Sequence, residues 1–210
     1  MRRKPYRDQV LAERGDILVA EPQQYYGRWQ ELLNCQKLHI EIGSGKGDYW
    51  WQMAQQYPQD GWIAIERNLN IAAIALRKLP QLTLNNARYI AKDSQDLATW
   101  FAANELDFIH LNFVDPWPKK AHSKRRLTHP QFLEIYRRLL RSQGQVWLKT
   151  DNEGLWEFSL ASFKEANFEL LSAEEDLQHD GQTPDVISEY EAKFIAANVK
   201  IKRAVWQVKK

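Results

Sequence analysis

The stretch of sequence that decides the fold is LHIEIGSGKGD, residues 38–48. Its first five residues, Leu38–Ile42, have strand character, and a helical pattern follows the turn. The turn contains three glycines: Gly43, Gly45 and Gly47. Glycine permits backbone dihedrals that a Cβ forbids, and it lets the chain pass close to a ligand. This order predicts a nucleotide-binding βαβ turn, although a lone glycine-rich turn can also occur without a ligand.

Apolar runs and amphipathic patterns alternate along the chain after this turn. Further strands are predicted at residues 62–66, 89–91, 108–114 and 146–148, and helices at 49–57, 69–79, 94–103 and 130–140. Thr128 and Gln131 fit an N-cap box for the last helix. Residues 168–171 and 201–208 are predicted to form further strands at one edge of the sheet. The alternation predicts an α/β fold, a single Rossmann-like domain with a mostly parallel central sheet and helices on both faces.

Composition excludes several classes of protein. A chain of 210 residues with 44% hydrophobic residues can fill a core, which excludes a disordered or fibrous chain. Cys35 is the single cysteine, so no disulfide framework and no cysteine-based zinc site is expected. The five histidines show no metal-ligand spacing, and we expect no metal. No signal-peptide core or membrane-length apolar run is present, which predicts a cytoplasmic protein without a membrane partner.

The net charge of +2 conceals an uneven distribution. Residues 117–141 contain eight Lys or Arg and one acid, whereas residues 151–191 contain twelve acids and one base. The first thirty residues are polar and basic, and they predict a mobile arm (1–30) in front of a domain at 31–210. Oligomeric state is not indicated by any of these patterns.

Four successive predicted strands end in carboxylates. The four acids are Glu41, Glu66, Asp93 and Asp115. Ligands of open parallel sheets bind beyond the carboxyl ends of the strands, so we expect these acids to converge on one crevice. In the dinucleotide-binding fingerprint G-x-G-x-x-G, the third glycine comes one position later than Gly47 does here. This spacing and the acids disfavour binding of a pyrophosphate, and therefore a dehydrogenase. The acids favour a cationic ligand instead. A single such acid, Asp93 for example, can instead cap a helix.

The glycine turn and the acids together resemble the class I S-adenosylmethionine-dependent methyltransferases. The resemblance implies S-adenosylmethionine as cofactor, with the glycine loop against its methionine moiety and Glu41 near the ammonium group. It further implies that Glu66 accepts from the ribose hydroxyls, that Asp93 lies near the adenine amino group, and that Asp115 borders the cofactor.

The fourth strand runs into NFVDPWPKKAHSKRRL, residues 112–127. Pro116 and Pro118 fix φ at alternate positions, so the loop that carries Asp115 and Trp117 is expected to be stiff. A basic run is usually a solvated surface, but beside aromatic residues and a cofactor site it suggests a phosphate-rich substrate.

This segment resembles the most specific motif of the tRNA (guanine-N7-)-methyltransferases. The resemblance extends from about Leu38 to Glu191, with Ser188 at a position that is usually Thr in the family. It implies tRNA as partner, with methylation of guanine 46 in the variable loop, and contacts to that nucleotide from Asp115, Lys119, Asp151, Ser188, Glu189, Tyr190 and Glu191. Lys124, Arg125 and Arg126 are predicted to contact the RNA backbone.

Two of these assignments have structural alternatives. Ser188 and Glu191 also form a helix capping box, and Tyr190 with Phe194 an apolar i,i+4 pair. Asp151 could cap a helix that begins near Glu153.

Guanine N7 carries a lone pair and no proton, so a catalyst must align the reactants and favour positive charge on the purine. Asp115 is the residue predicted to do this. Two alternatives remain from sequence: an RNA or DNA methyltransferase acting on an exocyclic base amine, and a non-catalytic RNA-binding protein on the same fold.

Overall fold

The computed structural model describes residues 4–79, 84–177 and 185–210. The chain divides into two compact units, Met1–Ala102 and Ala103–Lys210.

The first unit carries three parallel strands in the order β3-β2-β1. The strands are β1 (Leu38–Ile42), β2 (Gly61–Ile65) and β3 (Ala87–Ile90), and the helices are α1 (Arg7–Glu13), α2 (Trp29–Leu33), α3 (Asp48–Gln56), α4 (Leu69–Lys78) and α5 (Leu97–Trp100). Two 3-10 turns lie at Pro22–Tyr25 and Ser94–Asp96. All five residues of β1 and of β2 are buried. Continuous burial is typical of parallel strands that are covered on both faces.

Residues 4–30, which the sequence predicts to be an arm, lie against the rest of this unit. The Val19 amide donates to the Tyr89 carbonyl at 2.8 Å, and the Tyr89 amide donates to the Ile17 carbonyl at 2.9 Å. Trp29 is fully buried, and its Nε1 donates to the Trp100 carbonyl at 2.8 Å. The segment therefore forms a parallel β-bridge with β3, between Leu18 and Tyr89, and it is bound to α5 through Trp29.

The second unit combines parallel and antiparallel strands in the order β4-β5-β7-β6. The strands are β4 (Leu106–Asn112), β5 (Leu140–Thr150), β6 (Phe168–Glu174) and β7 (Lys202–Val208), and the helices are α6 (Pro130–Leu139), α7 (Glu153–Glu165) and α8 (Glu189–Ala196), with a 3-10 turn at Lys120–Arg125. β4 and β5 are parallel, whereas β7 is antiparallel to both β5 and β6. The two strands predicted at residues 168–171 and 201–208 are confirmed.

The cap of α6 differs from the predicted box of Thr128 and Gln131. His129 is the N-cap, and its Nδ1 accepts from the Gln131 amide at 3.3 Å. Proline at the first helical position disfavours the helical conformation in the residue before it, so Pro130 places His129 in the extended cap conformation. Thr128 is fully buried instead, with its Oγ1 2.9 Å from Ser159 Oγ.

Among the described residues, none of the helices is both long enough and apolar enough to span a membrane.

Candidate functional site

The glycine loop after β1 has the backbone that its sequence predicts. Gly43, Gly45 and Gly47 have φ angles of 76°, 56° and 77°, in the left-handed region where a side chain is disfavoured. Gly47 is the N-cap of α3, and a Cβ at this position would lie 3.4 Å from the Trp50 ring. The Gly43 amide donates to the Ile65 carbonyl at 2.8 Å, which ties the loop to the end of β2. The conformation of the loop is therefore set by three left-handed glycines and by a backbone hydrogen bond to the end of β2.

Two buried carboxylates accept hydrogen bonds from the backbone of this loop and of the helices that follow β1 and β2. Glu41 is 3% exposed, and its Oε2 accepts from the Trp50 amide in the first turn of α3 at 3.2 Å. Glu66 is 8% exposed, and its Oε2 accepts from the Gly45 amide at 3.2 Å. Its Oε1 accepts from the Asn68 amide at 2.7 Å. Buried acids at the carboxyl ends of β1 and β2 fit a ligand that offers a cationic group and hydroxyl donors.

Tyr89 of β3 contacts the same loop through its hydroxyl group. Its hydroxyl lies 3.3 Å from the Gly45 carbonyl and 3.4 Å from Ser44 Oγ. Complete burial raises the pKa of the Tyr89 hydroxyl, so the neutral form that can donate is favoured.

Asp93 follows β3 and caps the 3-10 turn after it. Its Oδ1 accepts from the Gln95 amide at 3.1 Å. The structure therefore confirms that Asp93 caps this turn. Its contact with the adenine amino group stays a prediction.

The loop that carries Asp115 has two bulky residues in the left-handed region. Phe113 has a φ of 50° and Trp117 a φ of 43°. Such angles are uncommon for large side chains and persist only where the surrounding structure imposes them. One restraint is the Phe113 amide, which donates to the Lys149 carbonyl of β5 at 2.9 Å. Asp115 lies between these two residues and is exposed.

Arg126 supplies a second restraint on this loop. Its Nε donates to the Pro116 carbonyl at 3.0 Å, and its Nη2 donates to the Trp117 carbonyl at 3.1 Å. The guanidinium also lies over the Phe158 ring, 4.4 Å from its centroid. The sequence groups Arg126 with Lys124 and Arg125 as an RNA-backbone contact, but its guanidinium is engaged with the loop.

The other basic residues of the run are more accessible. Those classed as exposed are Lys119, Lys120, Lys124 and Arg125. The Arg125 guanidinium lies 4.9 Å from the Trp117 ring centroid, and the His122 ring lies edge-on to Trp117 at 5.7 Å. These residues present positive charge beside an aromatic side chain, as a surface for phosphates and bases does.

Residues 188–191 form the capping box that the sequence offers as an alternative. Ser188 Oγ accepts from the Glu191 amide at 3.1 Å, and the Ser188 amide donates to Glu191 Oε2 at 3.4 Å. Glu191 is 1% exposed, whereas Tyr190 is 59% exposed. The Tyr190 ring lies 5.9 Å from Phe113 and 5.5 Å from Phe194. Glu189 pairs with Lys193 at 2.9 Å. Tyr190 is thus the most exposed member of the run.

Asp151 is exposed and does not cap α7. The cap is Asn152, whose Oδ1 accepts from the Leu155 amide at 2.9 Å. The capping alternative for Asp151 is therefore wrong.

Lys149 and Asp185 are not among the residues predicted from the sequence. Lys149 lies at 2% exposure on β5, with its Nζ 2.7 Å from Asp185 Oδ2 and 3.0 Å from Glu191 Oε2. The available signal was a lysine that directly follows the apolar run at 146–148, because a buried strand position rarely accepts an unpaired lysine.

No group of three or more His, Cys, Asp or Glu side chains within residues 4–79, 84–177 and 185–210 could hold a metal ion.

The chain is similar to known proteins in sequence and in fold. Residues 35–204 match the family model Methyltransf_4, described as "Putative methyltransferase". A tRNA (guanine-N(7)-)-methyltransferase of Geobacillus kaustophilus is 41% identical over 204 residues, which cover 97% of this chain and 94% of the relative. One from Bacillus licheniformis is 40% identical and covers 99% of both chains. The crystal structure of the 16S rRNA methyltransferase KamB has a TM-score of 0.66 at 10% identity, over 88% of this chain and 94% of that one.

The structural similarity confirms the predicted fold class, a mixed α/β class I methyltransferase fold, in which the described residues form seven strands. The family also identifies S-adenosylmethionine as the methyl donor. The buried carboxylates of Glu41 and Glu66 suit a ligand that carries a positive charge and hydroxyl groups. With two full-length relatives of about 40% identity, the chain belongs to the tRNA (guanine-N7-)-methyltransferase family.

Proposed function

We propose that this protein transfers a methyl group from S-adenosylmethionine to N7 of a guanine in tRNA, at position 46 of the variable loop. The proposal is supported by the exposed Asp115, in a loop whose backbone is bound by Arg126 and by the Lys149 carbonyl, in a chain about 40% identical to two tRNA (guanine-N(7)-)-methyltransferases. A tRNA substrate also favours the cytoplasmic location that the sequence predicts.

The cofactor, when bound, supplies a methyl group on a positively charged sulfonium. In the first unit, Glu41 and Glu66 are the acceptors for its ammonium group and ribose hydroxyls, and the backbone of the glycine loop lets the ligand approach closely. Asp93 is the proposed neighbour of the adenine amino group.

In the second unit, Asp115 is the catalytic residue. A carboxylate accepts from guanine N1–H and N2–H and so fixes the orientation of the base. Its negative charge also favours the positive charge that the purine acquires as N7 is alkylated. Because N7 has no proton to lose, the reaction needs no general base.

The other proposed substrate contacts divide by accessibility. Tyr190 offers an exposed ring for base stacking, and the exposed residues Lys119 and Asp151 are proposed contacts to the nucleotide. Lys124 and Arg125 are proposed to contact RNA phosphates, which position the tRNA without identifying the base.

The test is incubation of the protein with methyl-labelled cofactor and bulk tRNA, followed by chemical cleavage of the product at N7-methylguanine. Cleavage at guanine 46 of the variable loop is the expected result. Label on an exocyclic amine, or cofactor binding by calorimetry without any transfer to tRNA, would contradict the proposal.

A further inference from the structure

A buried ion cluster in the second unit has no part in the chemistry described above. The Nζ of Lys149 lies 2.7 Å from Asp185 Oδ2, and 3.0 and 3.1 Å from the two carboxylate oxygens of Glu191. The three side chains are 3%, 1% and 1% exposed. Removing three charges from water is costly, and apolar side chains of similar volume often stabilise a fold equally well. Stability alone therefore does not explain why these three residues are charged.

Lys149 connects two segments that carry proposed substrate contacts. Its backbone lies opposite Asn112 of β4, and its carbonyl accepts from the Phe113 amide, two residues before Asp115. Its side chain extends to the first turn of α8, where Glu191 closes the capping box with Ser188.

The same two segments also meet through their aromatic rings. Phe113 lies 5.9 Å from Tyr190 and 5.4 Å from Phe194, measured between ring centroids. The loop after β4 and the start of α8 are therefore joined twice, by ring contacts at the surface and by the Lys149 cluster beneath.

We propose that Lys149 is a positioning residue for the target guanine. Its carbonyl fixes the left-handed Phe113 ahead of Asp115, and its ammonium group fixes the α8 turn that presents Tyr190. Asp185 and Glu191 anchor this ammonium group, so Glu191 acts through Lys149 and Ser188. This inference rests on the proposed function.

The test compares Lys149→Met with Lys202→Met in the full chain. Lys202 is a matched control because it lies on β7, is 8% exposed, and pairs with one carboxylate, Glu153, at 3.0 Å. The single-turnover methylation rate at saturating tRNA is measured for both variants, together with the dissociation constants for tRNA and cofactor.

For Lys149→Met we expect the single-turnover rate to fall by a factor on the order of 10 to 100, with both dissociation constants within about twofold of wild type. Phosphate contacts dominate RNA affinity, so misplacement of one base should affect the rate more than binding. Lys202→Met should retain the wild-type rate within about twofold. A folded Lys149→Met protein with the wild-type rate would overturn the proposal, and so would an equal reduction in Lys202→Met.

A second measurement needs no substrate. Hydrogen exchange of the α8 amides should be faster in Lys149→Met by a factor on the order of 10, whereas those of α7 should keep their wild-type rates. Unchanged exchange in α8 would also overturn the proposal.

Lys149→Met leaves two buried carboxylates without their cation and could unfold. Asp185→Asn then serves as the second variant, because it removes one anchor and leaves the pair of Lys149 and Glu191. It should lower the rate severalfold and accelerate α8 exchange, and a wild-type result in both measurements would refute the inference. Wild-type protein in the same assay separates the two proposals: if it transfers no methyl group to guanine N7, the proposed function fails, whereas the exchange measurement still tests the role of Lys149.

Discussion

Asp115 carries the electrostatic part of the proposed chemistry, and its replacement is the most direct test at the residue scale. We expect Asp115→Ala to lower the single-turnover rate by a factor on the order of 100, the scale for removal of one preorganised electrostatic group. Asp115→Asn, which keeps the shape and removes the charge, should also be slow. Rates are measured at saturating tRNA and cofactor, and an Asp115→Ala protein as fast as wild type would exclude Asp115 from catalysis.

The basic run after Asp115 divides into residues with different expected roles. Lys124 and Arg125 are exposed, so their joint replacement by Ala should weaken tRNA binding and reduce the slope of log affinity against log salt by about 1 for each phosphate that the protein no longer neutralises. Arg126→Ala should leave that slope unchanged and lower the single-turnover rate, because the guanidinium holds the Pro116 and Trp117 carbonyls. Equal slopes for the double variant and wild type would contradict the phosphate role, and a lowered slope in Arg126→Ala would contradict the loop role.

Sequence patterns predict the conformation of a residue well where that conformation depends on residues close to it in the chain. The three glycines have the dihedrals that their spacing predicts, and Ser188 forms the capping box with Glu191. Lys149 and Arg126 could not be assigned in this way. The partners of Lys149 are 36 and 42 positions away in sequence, at Asp185 and Glu191, and a basic run does not distinguish a guanidinium bound to backbone carbonyls from one that faces solvent.

At the scale of elements, the cap of α6 gives a dependence of stability on pH. The Nδ1 of His129 accepts from the Gln131 amide, which requires the ring to lack a proton on that atom. Burial, with a smaller contribution from Lys124, lowers the pKa of His129 in the folded protein below the ordinary value of 6.5. The unfolded chain therefore takes up a proton first as the pH falls. The cap contributes fully above about pH 6.5, and its contribution decreases as the pH drops below that value.

The measurement is the free energy of unfolding between pH 7.5 and 5.5 for wild type and for His129→Asn. Asparagine retains a capping acceptor and does not titrate in this range, so its free energy of unfolding should fall less than that of wild type. Parallel curves for the two proteins would show that His129 does not contribute to the pH dependence.

Most strands lie within two residues of their predicted bounds, because continuous apolar runs define buried parallel strands. β6 continues three residues beyond its predicted end, to Glu174, and β5 departs most, since it begins at Leu140 and the prediction begins at residue 146. The first half of β5 contains Arg141, Ser142 and Gln143, and Gln143 has a φ of 65°. The register with β4 shifts at the same place, from Leu106 opposite Leu140 to Phe108 opposite Gln145. A polar, irregular strand segment has no apolar periodicity, so it cannot be predicted from the sequence pattern.

At the scale of the whole molecule, the near-neutral net charge is the sum of parts with opposite signs. The exposed positive charge at Lys119, Lys120, Lys124 and Arg125 suits an RNA backbone, and the carboxylates Glu41 and Glu66 suit a cationic cofactor. Affinity for tRNA should therefore fall steeply as salt is raised, whereas cofactor affinity, which depends on buried groups, should change little. Calorimetric titrations with each ligand over a range of salt concentrations test this difference, and equal salt dependence for both would contradict it.

The N-terminal segment gives a further whole-chain prediction, because the structure and the sequence favour different behaviour. A mobile arm that orders on RNA would be cut rapidly by trypsin after Arg14 in the free protein and slowly with tRNA. The structure instead has the Arg14 guanidinium donating to the Leu76 carbonyl at 2.5 Å and Ile17 at 1% exposure. We expect slow cleavage after Arg14 both with and without tRNA. Ile17→Asp, which introduces a charge at this buried site, should make cleavage fast. If the wild type were instead cleaved rapidly, and if tRNA suppressed that cleavage, the result would support the prediction of a mobile arm.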